Sequence, residues 1–181
     1  VLLTAKHIQK RFSEKQLLED INLSIHLGDK IGLVGVNGSG KSTLLQIIAG
    51  AMEEDAGEIL RSNELRIGYL PQNPDFEPEA TVLEQAMEYV QGAVPEYVVK
   101  TLLTKLRMNM FDRKMKELSG GQRKRVAMAA VMCRDTNLLI LDEPTNHMDN
   151  DIIEWLEEQL ENYKGSVLMI THDRYFLERV T

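Results

Sequence analysis

Apolar and polar positions along the chain follow two periods. Asp20–Leu27, DINLSIHL, alternates and sets Ile21, Leu23, Ile25 and Leu27 on one face of a strand. KIGLVG, Lys30–Gly35, is a short apolar run ending in glycine, the pattern of a buried strand. The period then changes, and Lys41–Ala49 reads as a helix. GEILR (Gly57–Arg61) and LRIGYLP (Leu65–Pro71) are two further short strands. Two prolines and three acids between Asn73 and Glu79 mark a loop. Thr81–Val90 and Glu96–Met108 are expected to be helical, separated by Gly92 and Pro95, and Ser119–Cys133 is a third helix of this part. NLLILD (Asn137–Asp142) and SVLMIT (Ser166–Thr171) are continuous apolar strands. Between them Asn150–Tyr163 carries Ile152, Ile153, Leu156 and Leu160 at helical spacing with Trp155 nearby, an amphipathic helix whose apolar side is core packing. Arg174–Val180 begins another helix.

Apolar strands separated by a helix predict an α/β fold with a parallel-sheet core. The alternating early strands predict an antiparallel β subdomain beside it, and the middle of the chain predicts a small helical subdomain. The chain is expected to be a single domain with three approximate parts. Residues 1–72 are β-rich and hold a glycine loop, 73–117 are the helical insertion, and 118–181 are a second glycine-led helix and the rest of the core.

The glycine loop supplies the first chemistry. GVNGSGKST, Gly35–Thr43, fits G-x-x-x-x-G-K-[ST] between an expected strand and an expected helix, the context this motif requires. The loop residues Gly35, Asn37, Gly38, Ser39, Gly40, Lys41, Ser42 and Thr43 are therefore candidates for holding a nucleotide. Glycines let backbone N–H groups turn around phosphate oxygens, and the helix start adds its positive dipole end. Lys41 is expected to reach the β- and γ-phosphates, and the Ser42 hydroxyl to hold Mg²⁺. Strand, loop and helix in this order resemble a P-loop NTPase (RecA-like) core. LLILDEP, Leu138–Pro144, is an apolar strand ending in two acids. Asp142 at its tip is placed to meet the Mg²⁺ of the loop. Glu143, next along the chain, points elsewhere and is a candidate to polarise a water in line with the γ-phosphate. SVLMITHD repeats the pattern, and His172 at its tip can donate a hydrogen bond to the γ-phosphate. Gln72, at the end of LRIGYLP, can ligate Mg²⁺ or orient the water. Phe12 has two readings, a stacking platform for adenine or a hydrophobic anchor of the small sheet.

LSGGQ, Leu118–Gln122, is a second phosphate-binding helix end, with Ser119 as a good N-cap and two glycines allowing close approach to an anion. One nucleotide site does not need it. Its target is a nucleotide held by another copy of the domain, so the working unit is expected to be a pair of domains packed head to tail. A phosphate-loop kinase has no use for such a motif.

Composition narrows the picture further. With 181 residues the chain can bury a substantial core, and its 43% apolar and 27% charged residues are ordinary for a globular protein. A net charge of −7 argues against binding nucleic acid through bulk electrostatics. A local basic run, Lys105, Arg107, Arg113, Lys114 and Lys116 continued by Arg123, Lys124 and Arg125, stands against that trend and reads either as an RNA-phosphate contact or as a solvated face. Cys133 is the single cysteine, so no disulfide forms within the chain, which suits a reducing cytosol. It reads as a small buried apolar residue. No apolar run is long enough to span a membrane, so no membrane insertion is expected. The start at Val1 and the end at Thr181 inside a helix-like segment suggest a fragment of a longer chain.

GVNGSGKST, Gln72, LSGGQ, LLILDEP and THD, in that order, resemble the nucleotide-binding domain of an ATP-binding-cassette (ABC) ATPase over nearly the whole chain. The resemblance implies ATP and Mg²⁺ as cofactors and hydrolysis to ADP and phosphate. It implies adenine stacking at Phe12, Mg²⁺ contact and coupling to the partner at Gln72, a general base at Glu143 and γ-phosphate contact at His172. It further implies that Ser119, Gly120, Gly121 and Gln122 reach the partner's nucleotide. LDEPTNHMD (Leu141–Asp149) and THDRYFL (Thr171–Leu177) resemble the ABC-F subfamily, which has no transmembrane domain, carries two such domains on one chain and in many cases acts on the ribosome. The fit is best to the first of the two domains. This implies a cytoplasmic protein whose partners are a second ABC domain and the ribosome or its RNA. Met148 stands where leucine is usual, a mild change. The span from Gln72 to Leu118 is shorter than a first ABC-F domain has, so the helical subdomain is expected to be trimmed, and Gly50–Gln72 has no arm-like insertion. His147 belongs to the subfamily motif and is expected to shape the loop facing the partner. The alternatives are the ATPase subunit of a membrane transporter, docking its membrane partner near Gln72, and a clamp that binds ATP with negligible turnover.

Overall fold

The computed structural model describes residues 1–36 and 38–181. Two sheets organise the chain. Strands β1 (Leu3–Phe12), β2 (Lys15–Ile25) and β4 (Ala56–Arg61) form an antiparallel sheet in the order β2-β1-β4. Strands β3 (Lys30–Leu33), β5 (Ile67–Leu70), β6 (Leu138–Asp142) and β7 (Ser166–Ile170) form a parallel sheet in the order β3-β7-β6-β5. GEILR and LRIGYLP, similar in sequence texture, thus end up in different sheets.

Helix α1 (Lys41–Ala49) follows the glycine loop. Its C-terminus ends at Gly50, and the Arg61 guanidinium donates to the carbonyls of Ile47 and Ile48. That cation sits where the helix dipole is negative. Helices α2 (Val82–Tyr89), α3 (Glu96–Lys105) and α4 (Gly120–Cys133) pack on one another, with a short 3-10 turn at Met115–Glu117 leading into α4. Helix α3 stops before Met108, because the chain turns into a left-handed conformation at Arg107 (φ 60°). Helix α5 (Asn150–Asn162) and helix α6 (Arg174–Val180) pack together, joined by the Arg179–Glu157 ion pair at 3.2 Å. Among the described residues no helix is long and apolar enough to cross a membrane.

The parallel sheet separates two apolar cores. In β6, Leu138 and Ile140 face one core while Leu139 and Leu141 face the other. In β7, Leu168 and Ile170 join the first and Val167 and Met169 the second. The first core also holds Leu45, Ile47 and Ile48 of α1 and Leu3, Ala5 and Ile8 of the antiparallel sheet. The second takes the helical part, including Val82, Val99, Leu103 and Val126, and the apolar side of α5 through Ile152, Leu156 and Leu160. Both faces of β6 and β7 are therefore dry, which is why their sequences are continuous apolar runs rather than alternations. All four parallel strands point their C-terminal ends the same way, and ligands of open α/β sheets bind at that edge.

Leu27 departs from the expected face. Strand β2 ends at Ile25, and Leu27 lies in the following turn at 64% exposure.

Candidate functional site

At the C-terminal edge of the parallel sheet is a cleft of about 490 Å³. The loop after β3 forms one wall. Gly38 and Gly40 have φ of 80° and 90° there, and Gly40 leads into α1 with no side chain capping the helix start. The Lys41 ammonium donates to the carbonyls of Gly35 at 2.6 Å and Val36 at 2.9 Å. Asn37 lies outside the described residues.

The opposite wall comes from the tips of β6 and β7. Asp142 shares a strand face with Ile140, the face that looks toward α1, so its carboxylate comes to the Ser42 hydroxyl. Burial pushes the Asp142 carboxyl above its usual range, and the hydroxyl together with Lys124 and Lys41 pulls the other way. Its Oδ1 is buried and has no hydrogen-bond partner among the described residues. A buried oxygen left without a partner, beside a hydroxyl and with Gln72 lining the same cleft, suits a hard divalent cation. The donor set therefore fits Mg²⁺.

Glu143 is only 4% exposed and has φ of 51°. Strand alternation alone turns Glu143 away from the face of Asp142. The left-handed turn brings its side chain into the cleft, where Oε1 lies 3.0 Å from Nε2 of His172. Such a conformation in a non-glycine residue costs about 1–3 kcal/mol and persists only where its surroundings enforce it. His172 is held by its neighbours: the Thr171 hydroxyl accepts the Asp173 N–H, and the Asp173 carboxylate accepts the Phe176 N–H to start α6.

The structure thus gathers Gly38, Ser39, Gly40, Lys41, Ser42, Thr43, Gln72, Asp142, Glu143 and His172 around one cleft, with Gly35 at its rim. Two groups fall outside its lining. Phe12 ends β1 opposite Lys15, 43% exposed, with the Lys10 ammonium 5.5 Å from the centre of its ring. Ser119, Gly120, Gly121 and Gln122 open α4 and do not line the cleft. Ser119 and Gln122 form a reciprocal capping box, the Ser119 hydroxyl accepting the Gln122 N–H at 3.2 Å and Gln122 Oε1 accepting the Ser119 N–H at 3.0 Å. Gly120 lines a separate recess of about 210 Å³, which shares Gln72 and Asn146 with the main cleft. Gly121 is backed so closely by His147 that an added Cβ would lie 3.0 Å from the His147 Cβ. His147 has a left-handed φ of 60° in the loop after Glu143.

Sequence reasoning missed Leu17 and Asn146, both lining the cleft. Asn146 lies within the LDEPTNHMD stretch, so the signal for it was present. The eight-cation run is mostly engaged within the molecule. Lys114 and Lys116 pair with Glu79 at 2.9 and 2.7 Å and hold its carboxyl down to about 2. Arg107 pairs with Asp149 and Asp151. Arg123 stacks over Phe76 at 4.2 Å, and Arg125 donates to the Leu106 carbonyl at 3.4 Å. Lys124 is buried, its ammonium donating to the Asp142 carbonyl at 2.7 Å. Burial pushes it down to about 8, with Asp142 and Glu143 opposing the shift. Cys133 is half-buried on α4.

Comparison with known proteins agrees with this geometry. The profile of the ABC transporter family matches residues 18–146. The chain is 39% identical over 220 aligned positions to the uncharacterized ABC transporter ATP-binding protein YfmR of Bacillus subtilis, covering 99% of this chain and 35% of that protein. It is 38% identical over 208 positions to the energy-dependent translational throttle protein EttA of Haemophilus influenzae, covering 92% of this chain and 37% of that one. Among solved structures, a dimeric post-hydrolysis ATP-binding cassette bound to ADP and Pi superposes with a TM-score of 0.83 at 26% identity, over 98% of this chain and 91% of that one. The chain spans little more than a third of the length of these curated relatives. With the family match running over residues 18–146, from β2 through the phosphate loop to the turn after Glu143, the chain belongs to the ABC transporter family, as an ATP-binding cassette domain.

Proposed function

We propose that this cassette is of the ABC-F type, the first of two on a cytoplasmic chain, and that it converts ATP binding and hydrolysis into closure and opening of the pair on the ribosome. The observation that carries the ATPase part is the buried Glu143, turned into the cleft beside His172 and next to the Ser42–Asp142 pair. Lys41 and the N–H groups of Gly38–Thr43 bind the phosphates. Ser42, Asp142 and Gln72 would hold Mg²⁺, which would neutralise phosphate charge. Glu143 accepts the proton of the attacking water and His172 steadies the γ-phosphate. Phe12 supports the adenine from the exposed end of β1. Ser119, Gly120, Gly121 and Gln122 serve the nucleotide of the partner cassette, in keeping with their place outside the lining of this chain's own cleft. LDEPTNHMD, THDRYFL and the similarity to EttA support the translational role.

The test is Glu143→Gln in the full-length protein. ATP binding is expected to persist while hydrolysis slows about 10²–10⁴-fold, and hydrolysis at the normal rate would remove Glu143 from its assigned role. The same variant with Mg-ATP is expected to sediment with ribosomes and to lose that association in ADP. The alternative reading, the ATPase subunit of a membrane transporter, draws on the recess beside Gln72 and Phe76 as a docking place for a membrane partner. ATP-independent recovery with membranes and none with ribosomes would favour it.

A further inference from the structure

Lys124 sits one turn into α4 and is 4% exposed. A buried ammonium needs acceptors, and this one donates at 2.7 Å to the carbonyl of Asp142, the peptide that joins Asp142 to Glu143. The N–H of the same peptide donates at 2.8 Å to the carbonyl of Ile170 in β7. The peptide plane is therefore gripped at both ends, from α4 on one side and from β7 on the other. The next rotation along the chain is the φ of Glu143, the left-handed 51° that turns its carboxylate into the cleft. A non-glycine residue keeps such an angle only where neighbours over-determine it, and the Lys124–Asp142 hydrogen bond is one of the polar contacts around Glu143, with those to Ile170, His172 and Asn146.

We propose that Lys124 is a positioning residue for Glu143, aiming its carboxylate by clamping the Asp142–Glu143 peptide to the helix that begins with Ser119. The inference rests on the reading of Glu143 as the general base and deepens it. The start of α4 bears the residues assigned to the partner's nucleotide, so any shift of α4 on closure is passed through Lys124 to the base. Hydrolysis is thereby tied to the presence of the partner. Lys124 touches neither nucleotide nor water in this scheme; it grips the peptide, and its charge faces the Asp142 carboxyl as well.

Steady-state ATP hydrolysis by the full-length protein tests this with Lys124→Met, Lys124→Arg, Glu143→Gln and the Lys124→Met/Glu143→Gln double variant, alongside nucleotide-binding titrations and thermal melts. Misaiming a reacting group by about an ångström costs on the order of 100-fold. Lys124→Met is therefore expected to lower kcat about 10–100-fold, with KM for Mg-ATP within about twofold because the phosphate loop is untouched. Lys124→Arg, which keeps a charged donor, is expected to restore most of the rate. The double variant is expected to be no slower than Glu143→Gln alone, since both changes disable one group. An unchanged kcat in Lys124→Met overturns the inference. So does a loss of nucleotide binding and melting temperature in parallel with the rate that the arginine variant does not relieve, because that marks a residue of the core only. Normal hydrolysis in Glu143→Gln is a different failure, since it removes the base reading itself whatever Lys124 does.

Discussion

Gly40 shows how much one backbone angle matters at the residue scale. It has φ of 90°, and an added Cβ would lie 3.0 Å from Leu18 Cδ2 and 3.1 Å from the Leu17 carbonyl oxygen. Gly40→Ala is expected to cost about 1–2 kcal/mol from the left-handed angle alone. Because the loop must reshape to relieve the crowding, nucleotide affinity is expected to fall by about tenfold or more, each tenfold corresponding to about 1.4 kcal/mol. Gly28→Ala is the control, with φ of 92° and nothing within 4 Å of where a Cβ would stand. It should destabilise the fold and leave affinity unchanged, as read by melting and by titration with a fluorescent nucleotide. The glycine motif could be read from its spacing, and its described residues Gly38–Thr43 line the cleft. Glu143 was legible as a carboxylate at a strand tip but not in its orientation, because a left-handed glutamate has no sequence signal. Lys124 was hidden for a different reason. A lysine inside RKR reads in sequence as one more solvated cation, and only the packing of α4 against the end of β6 shows it to be buried.

At the scale of elements, two helices start with the same device. Thr81 and Glu84 cap α2 reciprocally, as Ser119 and Gln122 cap α4. Removing either cap hydroxyl is expected to cost about 1 kcal/mol. If the α4 start also serves a partner's nucleotide, Ser119→Ala should in addition slow hydrolysis by the paired protein, while Thr81→Ala should change melting alone. Elements with one clear period were readable. Helix α5 presents Ile152, Leu156 and Leu160 to the core and most of its acids to solvent, Glu157 being buried against Arg179, and its bounds match the sequence pattern to within a residue. Strand β1 was not readable. Its buried residues Leu3, Ala5 and Ile8 break the two-residue alternation because the ladder to β2 shifts register between Ala5 and Ile8 and again before Lys10. Helix α4 was found through its glycines rather than its periodicity. From Val126 to Val131 it is buried on every side, so no polar face marks the turn of the helix.

At the scale of the whole molecule, the parallel sheet is the common wall of two cores, and the cleft lies at the end of that wall. The sequence suggested this arrangement through its order of strand, loop and helix, but not which short strand joined which sheet. Placement of GEILR beside β1 and of LRIGYLP beside β6 depends on partners far away in the chain. The turned backbone at Glu143 has a consequence for how such a protein responds to selection. Stability belongs to the entire chain, so strain held at one residue lowers the melting point of the whole. Glu143→Asn keeps a side chain that tolerates the left-handed region and removes a buried carboxylate beside Asp142. It is expected to raise the melting temperature by about 2–4 °C per kcal/mol of relieved strain while hydrolysis falls to the level of Glu143→Gln. A screen for heat resistance alone would therefore enrich inactive variants at this position, so thermal robustness and turnover have to be selected together.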